Sequence, residues 1–201
     1  MNLIYLPNII TVLRLFLVPV IVWMIVANEL SAAFVAFLLA GLTDAIDGFL
    51  ARRFGWQTEL GAYLDPVADK ALLMSVYAAL GFFGYLPAWL VILVVSRDLL
   101  IIGAVMLSWL MGRAITVYPL AISKVNTAAQ IGLAVLVLAE GGLKLGWGPY
   151  IYALIWGVGF TTALSAAVYL VIWMKRMARY DLDQRLENPA GTNPRNRRAA
   201  E

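Results

Sequence analysis

The sequence predicts an all-α integral membrane protein that crosses the bilayer as six transmembrane helices. Hydrophobic residues make up 63% of its 201 residues and charged residues only 13%, and the mean hydropathy is +0.84. These values exclude an ordinary soluble domain. Six apolar segments follow one another with short polar connections. Trp89 and Trp109 bound one of them and are about 30 Å apart along a helix, which matches the hydrocarbon thickness.

The first two predicted helices run from Leu6 to about Ala27 and from Ser31 to about Arg53. Pro19 is expected to bend the first helix, because proline removes a backbone hydrogen bond inside a helix. No basic residue precedes this apolar run and Arg14 interrupts it. We therefore expect the segment to remain as a helix and not to be cleaved as a signal peptide.

Prolines introduce several of the remaining helices. Asp65 and Pro66 by themselves suggest that the third helix starts there, because proline is favoured at the first helical position. This helix is expected to end near Gly84. The fourth helix is predicted from Pro87 to about Met111, the fifth from Pro119 to about Glu140, and the sixth from Pro149 to about Met174.

Four aspartates stand out in this apolar chain, namely Asp44, Asp47, Asp65 and Asp69. They form two pairs, and in a helix the members of each pair project from one face with Cβ atoms about 5–6 Å apart. Carboxylates this close repel one another unless a cation compensates them. Oxygen ligands in a chain without His or Cys indicate a hard divalent metal, Mg²⁺, Mn²⁺ or Ca²⁺, and not an ordinary zinc site.

Small residues and one arginine lie between the acidic pairs. Gly48, Ala51 and Gly61 would let a flat base or a phosphate approach the backbone, and Arg52 is a cation suited to phosphate oxygens. Phosphoryl chemistry explains this combination. An ion path in a transporter is the alternative, but it leaves the glycines without a role, and a passive membrane scaffold would give the aspartates none.

The first helix carries a polar stripe in which Asn8, Thr11 and Arg14 recur every three residues. One interpretation is a helix cap at Asn8 and an arginine that extends its charge to the membrane interface. The other is that the stripe faces a nucleotide and its phosphates.

The stretch from Asp44 to Asp69 follows the pattern DxxDGxxARx8GxxxDxxxD, which resembles the signature of the CDP-alcohol phosphotransferase family of integral membrane enzymes. The resemblance implies that family's six-helix membrane fold, usually dimeric. Such enzymes move a substituted phosphate from a CDP-alcohol to an acceptor hydroxyl and release CMP. The family pattern also moves the expected start of the third helix to about Leu60.

The same resemblance implies roles for individual residues. Two Mg²⁺ or Mn²⁺ ions are expected on the four aspartates, and Asp69 is also expected to act as the general base. The stripe on the first helix is similar to the NxxTxxR of many family members. Residues expected to bind CDP are Asn8, Thr11, Gly48, Ala51, Arg52 and Gly61.

Two further polar stretches, SRD at 96–98 and SKVNTAAQ at 123–130, are similar to the CMP-forming cardiolipin synthases of this family. That branch transfers a phosphatidyl group from CDP-diacylglycerol to phosphatidylglycerol. The alternative is a phosphatidylglycerophosphate synthase, whose acceptor is glycerol 3-phosphate. The predicted ligands of the acceptor phosphate are Arg97, Lys124 and Arg14, the first two being basic residues within predicted spans.

Arg97 and Lys124 could each have a structural role instead of binding phosphate. Arg97 could form an ion pair with another helix, and it need not pair with Asp98, because adjacent helical residues point about 100° apart. Lys124 could simply extend its charge toward the membrane surface.

The basic residues predict the orientation in the membrane. Most of them flank the second and fourth connections or lie in the C-terminal segment, whereas the opposite loops carry only Lys144. By the positive-inside rule, both termini and the aspartates face the cytoplasm. We expect a membrane catalytic domain over residues 1–178 and a disordered polar tail over 179–201. We expect a bacterial inner membrane protein, because no transit peptide is apparent. The family resemblance implies a homodimer. The expected partners are lipids and not nucleic acid.

Overall fold

A computed structural model describes residues 6–54, 59–110 and 121–187, and all regular secondary structure within these ranges is α-helical. The predicted all-α class is therefore confirmed. The helices of the described ranges are α1 Leu6–Val26, α2 Leu30–Phe54, α3 Glu59–Phe82, α4 Ala88–Leu110, α5 Ala121–Leu143 and α6 Gly148–Glu187.

The start of α3 agrees with the family pattern and not with the local proline signal. The helix begins at Glu59, so Pro66 lies inside it. A start at Pro66 is therefore wrong, and the predicted start near Leu60 is confirmed. Asp65 and Asp69 consequently share one continuous helix.

The sixth helix is longer than predicted. It continues past Met174 to Glu187 and so crosses the proposed boundary at residue 178. The extra segment is rich in strong helix formers, and it contains Asp181 and Arg185, an opposite-charge pair at helical spacing. Residues 188–201 of the predicted tail lie outside the described residues.

Within the described ranges, two segments are long and apolar enough to cross a bilayer, Ile122–Leu143 and Gly148–Lys175. Ile10–Val26 and Leu30–Ile46 are shorter apolar stretches. Six membrane crossings therefore remain a prediction.

Helix packing brings α1, α2, α3 and α5 around one side of the bundle. α1 packs on α2 and α3, α2 packs on α5, and α4 joins α3 to α6. The core between them contains fully buried residues such as Ile21, Val76, Leu80 and Leu138.

The contact between α2 and α5 is unusually close at Gly142. A Cβ atom there would lie 2.6 Å from the backbone nitrogen of Ser31, and the Ser31 hydroxyl donates a 2.9 Å hydrogen bond to the Gly142 carbonyl oxygen. Only glycine allows two backbones to approach this closely. This contact joins α2 and α5, two helices that form walls of the site described next.

Candidate active site

Arg14 connects the first and last aspartates of the signature. Its Nη1 atom lies 2.5 Å from Asp44 Oδ1 and 2.8 Å from Asp69 Oδ1. The arginine side chain is only 1% exposed, because α1 lies against both α2 and α3. The fold thus brings together two carboxylates from different helices, with a cation between them.

Both carboxylates are open to a cavity of about 450 Å³. The side chains of Asp44 and Asp69 are 40% and 51% exposed, and Arg14 and Lys70 also line the cavity. A substrate in the cavity could therefore reach both acidic groups. Asp69, the predicted base, is the more exposed of the two.

The cavity is polar at one end and apolar along its length. Helices α2, α3 and α5 each contribute one segment to the lining. Asp44, Lys70 and Thr127 lie at or next to the ends of these three segments, on the same side of the cavity. Away from that end, the walls are aliphatic. A ligand with a charged headgroup and an apolar tail matches this distribution. Aliphatic wall residues include Leu38, Leu42, Leu72, Leu73, Ile131 and Val135.

A second ionic cluster adjoins the cavity through Lys70. The Lys70 Nζ atom lies 2.7 Å from Asp98 Oδ1, and Arg97 Nη1 lies 2.5 Å from the same oxygen. Arg97 Nη2 also donates hydrogen bonds to the hydroxyls of Ser123 and Ser165, the latter at 3.0 Å. These contacts tie α3, α4, α5 and α6 together.

Arg97 and Asp98 contact each other within this cluster. The sequence did not require these two neighbours to pair. They do pair, because the long arginine side chain bends back to the adjacent carboxylate. The described ion pair of Arg97 lies within α4, and the ion pair between helices is formed by Asp98 with Lys70 of α3.

Lys70 is the residue that sequence reasoning missed. It directly follows Asp69 inside an apolar helix, and an ionisable residue in such a place is a functional candidate by itself. Lys70 is one of the basic residues that flank the second connection, where it served only to predict the orientation in the membrane. Only the fold reveals that its side chain lines the cavity.

The other predicted site residues differ in how much the structure describes of them. Thr11 is buried on α1, on the turn preceding Arg14, and Gly48 is half-buried on α2. Lys124 is exposed on α5, and it and the buried Arg97 are absent from the described lining of the cavity. The side chains of Asn8, Asp47, Ala51, Arg52, Gly61 and Asp65 lie outside the described part of the chain.

The described donors suit a hard cation, although the described side chains alone do not form a group of three acidic ligands. Asp44 Oδ1 and Asp69 Oδ1 already converge on one cationic nitrogen. Asp47 and Asp65 occupy the same two helices one turn away. Oxygen donors of this kind are those that Mg²⁺ and Mn²⁺ prefer.

Comparison with known proteins gives consistent similarities. The sequence model of the CDP-alcohol phosphatidyltransferase family matches residues 4–176. Human cardiolipin synthase (CMP-forming) is 35% identical over 179 residues, covering 81% of this chain and 60% of the human protein. The chain therefore spans about three fifths of that relative's length.

Two other relatives differ in acceptor and in coverage. The chloroplastic CDP-diacylglycerol–glycerol-3-phosphate 3-phosphatidyltransferase 1 of Oryza sativa subsp. japonica is 40% identical over 183 residues, 82% of this chain and 55% of the rice protein. A Mycobacterium tuberculosis protein with a provisional cardiolipin synthase name is 29% identical over 204 residues, 93% of this chain and 91% of its own length.

Proposed function

We propose that the chain, which belongs to the CDP-alcohol phosphatidyltransferase family, transfers a phosphatidyl group from CDP-diacylglycerol to phosphatidylglycerol. The products are cardiolipin and CMP. The observation that best supports this proposal is the cavity, which has aliphatic walls and has Asp44 and Asp69 at its polar end. Such a pocket suits two lipid substrates that react at their phosphate headgroups. The similarity to human cardiolipin synthase supports the choice of acceptor.

The proposed reaction is an in-line displacement at the lipid-side phosphorus of CDP-diacylglycerol. A hydroxyl oxygen of the phosphatidylglycerol headgroup forms a new P–O bond, and the bond from that phosphorus to the bridging diphosphate oxygen breaks. CMP leaves with the bridging oxygen. The hydroxyl proton passes to the Asp69 carboxylate, which lines the cavity and is half exposed.

Arg14 has two tasks in this proposal. Its contact orients the Asp69 carboxylate, and its buried guanidinium provides a fixed positive charge at the polar end of the cavity. Phosphate oxygens are suitable ligands for such a group.

The proposed cofactors are two Mg²⁺ or Mn²⁺ ions held by Asp44, Asp47, Asp65 and Asp69. The convergence of carboxylate oxygens from α2 and α3 supports this assignment. When bound, divalent ions would neutralise the diphosphate and the leaving phosphate of CMP. We propose the CDP ligands predicted from the sequence, Asn8, Thr11, Gly48, Ala51, Arg52 and Gly61, for the nucleotide.

We further propose a multi-pass protein of a bacterial inner membrane, with termini and site on the cytoplasmic side, acting as a homodimer. Large apolar side chains cover the outside of the bundle; Phe16, Trp23, Phe82 and Phe160 are each exposed by 69–86%. Such a surface suits lipid contact. The asymmetric distribution of basic residues supports the orientation.

Glycerol 3-phosphate is the alternative acceptor, favoured by the similarity to the rice enzyme. The deciding experiment supplies detergent-purified protein with Mg²⁺, labelled CDP-diacylglycerol and both acceptors together. We expect labelled cardiolipin and an equal amount of CMP. Phosphatidylglycerophosphate as the labelled product would reassign the acceptor, and the absence of CMP with either acceptor would reject a transferase.

A further inference from the structure

We infer that Lys70 supplies the cation that binds the phosphate of the lipid acceptor, and that Asp98 and Arg97 position it. This inference rests on the proposed function. It concerns a residue to which the sequence signature assigns no role, and it moves direct phosphate contact from Arg97 to Lys70.

Access to the cavity separates the two basic residues. Lys70 lines the cavity and its side chain is 32% exposed, whereas the side chains of Arg97 and Asp98 are 1% and 0% exposed. A phosphate in the cavity can therefore approach the Lys70 ammonium group directly. It could reach the Arg97 guanidinium only after the helices had separated.

The hydrogen bonds of Arg97 also keep it in place. One end of its guanidinium contacts Asp98, and the other contacts Ser123 of α5 and Ser165 of α6. A turn toward the cavity would break all of these contacts. Arg97 is therefore a positioning residue, which fixes Asp98 and through it the lysine.

The charge balance leaves Lys70 able to bind an anion. Arg97 and Asp98 neutralise each other, and Lys70 shares the same Oδ1 atom with Arg97, so the cluster of these three side chains carries one net positive charge. Arg14, by contrast, faces two carboxylates. The described cations that line the cavity are Arg14 and Lys70. Of these two, Lys70 has fewer acidic partners than Arg14 and is the better placed to bind an anion.

One net charge suits one class of phosphate. The phosphodiester of phosphatidylglycerol is a monoanion, whereas glycerol 3-phosphate is largely a dianion near neutral pH and calls for a denser basic cluster. Lys70 also follows Asp69 directly in α3, and both residues line the same cavity. An acceptor whose phosphate contacts Lys70 would therefore present its headgroup hydroxyl beside the proposed base.

The kinetic test compares Lys70→Gln with Lys70→Arg in the purified full chain. We expect Lys70→Gln to raise the KM for phosphatidylglycerol by about tenfold or more, the effect of losing a hydrogen bond to a charged group. The kcat and the Kd for CDP-diacylglycerol should stay near wild type, and Lys70→Arg should recover most of the loss. Lys175→Gln, an exposed lysine on α6 away from the cavity, is the matched control.

A binding measurement separates this inference from the proposed function. Brominated phosphatidylglycerol in detergent micelles quenches tryptophan fluorescence when it binds, and we expect about tenfold weaker binding to Lys70→Gln than to wild type. Lys70→Met, which keeps an unbranched side chain, replaces this variant if Lys70→Gln does not yield folded protein. If Lys70→Gln binds the lipid more weakly than wild type and the wild type forms no cardiolipin, the lysine site is supported and only the proposed function is rejected.

The opposite outcomes overturn the inference. If Lys70→Gln keeps both the wild-type KM and the wild-type lipid binding while cardiolipin is still formed, Lys70 does not bind the acceptor. The same conclusion follows if Arg97→Gln raises the KM for phosphatidylglycerol in a fully folded protein and Lys70→Gln does not.

Discussion

Arg14 Nη1 lies 2.8 Å from Asp69 Oδ1, although the two residues are 55 positions apart in the chain. The same nitrogen also contacts Asp44, so an internal cation compensates two carboxylates that the signature assigns to metal binding. Under the proposed metal assignment, divalent ions would have to compete with the arginine or displace it. The contact would then link the stability of the metal-free protein to its affinity for metal.

Replacing Arg14 with glutamine is expected to change these two properties in opposite directions. Loss of the buried guanidinium should lower the unfolding free energy of the metal-free protein by about 1–3 kcal/mol, since its partners are partly exposed. Mn²⁺ should bind more tightly, because the carboxylates lose an internal competitor. Thermal unfolding in EDTA and Mn²⁺ titration by electron paramagnetic resonance measure the two effects.

The exposed Arg53 of α2 offers a matched control for that experiment. Arg53→Gln should leave both the stability and the Mn²⁺ affinity near wild type. Weaker Mn²⁺ binding in Arg14→Gln would contradict the competition and indicate that the arginine supports the metal site.

The four aspartates should divide into two functional classes. Asp44→Asn, Asp47→Asn and Asp65→Asn should each reduce Mn²⁺ affinity and lower activity by about a thousandfold or more. If Asp69 acts mainly as the base, Asp69→Asn should still bind CDP-diacylglycerol and, through the other three aspartates, Mn²⁺, while turnover collapses because the hydroxyl proton has no acceptor. Equal losses of nucleotide binding in all four variants would argue against a separate base.

The close approach of α2 and α5 predicts a specific sensitivity at Gly142. In Gly142→Ala the new methyl group would meet backbone atoms of Ser31, so the helices must move apart, and the protein should lose about 1–3 kcal/mol of stability. Gly132→Ala on the same helix meets nothing within 4 Å and should be neutral or stabilising. Thermal unfolding of both variants tests the difference, and equal melting temperatures would show that the contact is not restrictive.

The membrane orientation can be tested by labelling, because the chain contains no cysteine. Thr192→Cys should react only with reagents that enter the cytoplasm, and Lys144→Cys should react from the opposite side. Each variant is treated with a membrane-impermeant maleimide in intact cells and in inverted vesicles. External labelling at position 192 would invert the proposed topology.

Several features followed directly from the sequence. The apolar segments predicted the helical class and most helix bounds, because the length of an apolar segment and the residues that bound it are local properties of the sequence. The spacing of the aspartates predicted two acidic pairs, and the family indicated by the signature was confirmed. At Pro66 the family pattern was a better guide than the local preference of proline, since α3 begins at Glu59.

The sequence was a weaker guide at one helix end and at one long side chain. The sixth helix was expected to end with its apolar run at Met174, but helix propensity continues through the charged segment to Glu187. The sequence left open whether Arg97 pairs with the adjacent Asp98, and the structure shows that its long side chain bends back to that carboxylate.

The sequence by itself determined which residues form helices and which helices carry the aspartates, because both depend on spacing within a segment. Only the tertiary structure decided which charges meet: Arg14 with Asp69 across 55 positions, and Lys70 with Asp98 across 28. Those pairings depend on which helices pack together and on which faces they turn toward each other. A charge in an apolar bundle must find a partner, but its identity is set by the packing of the whole chain.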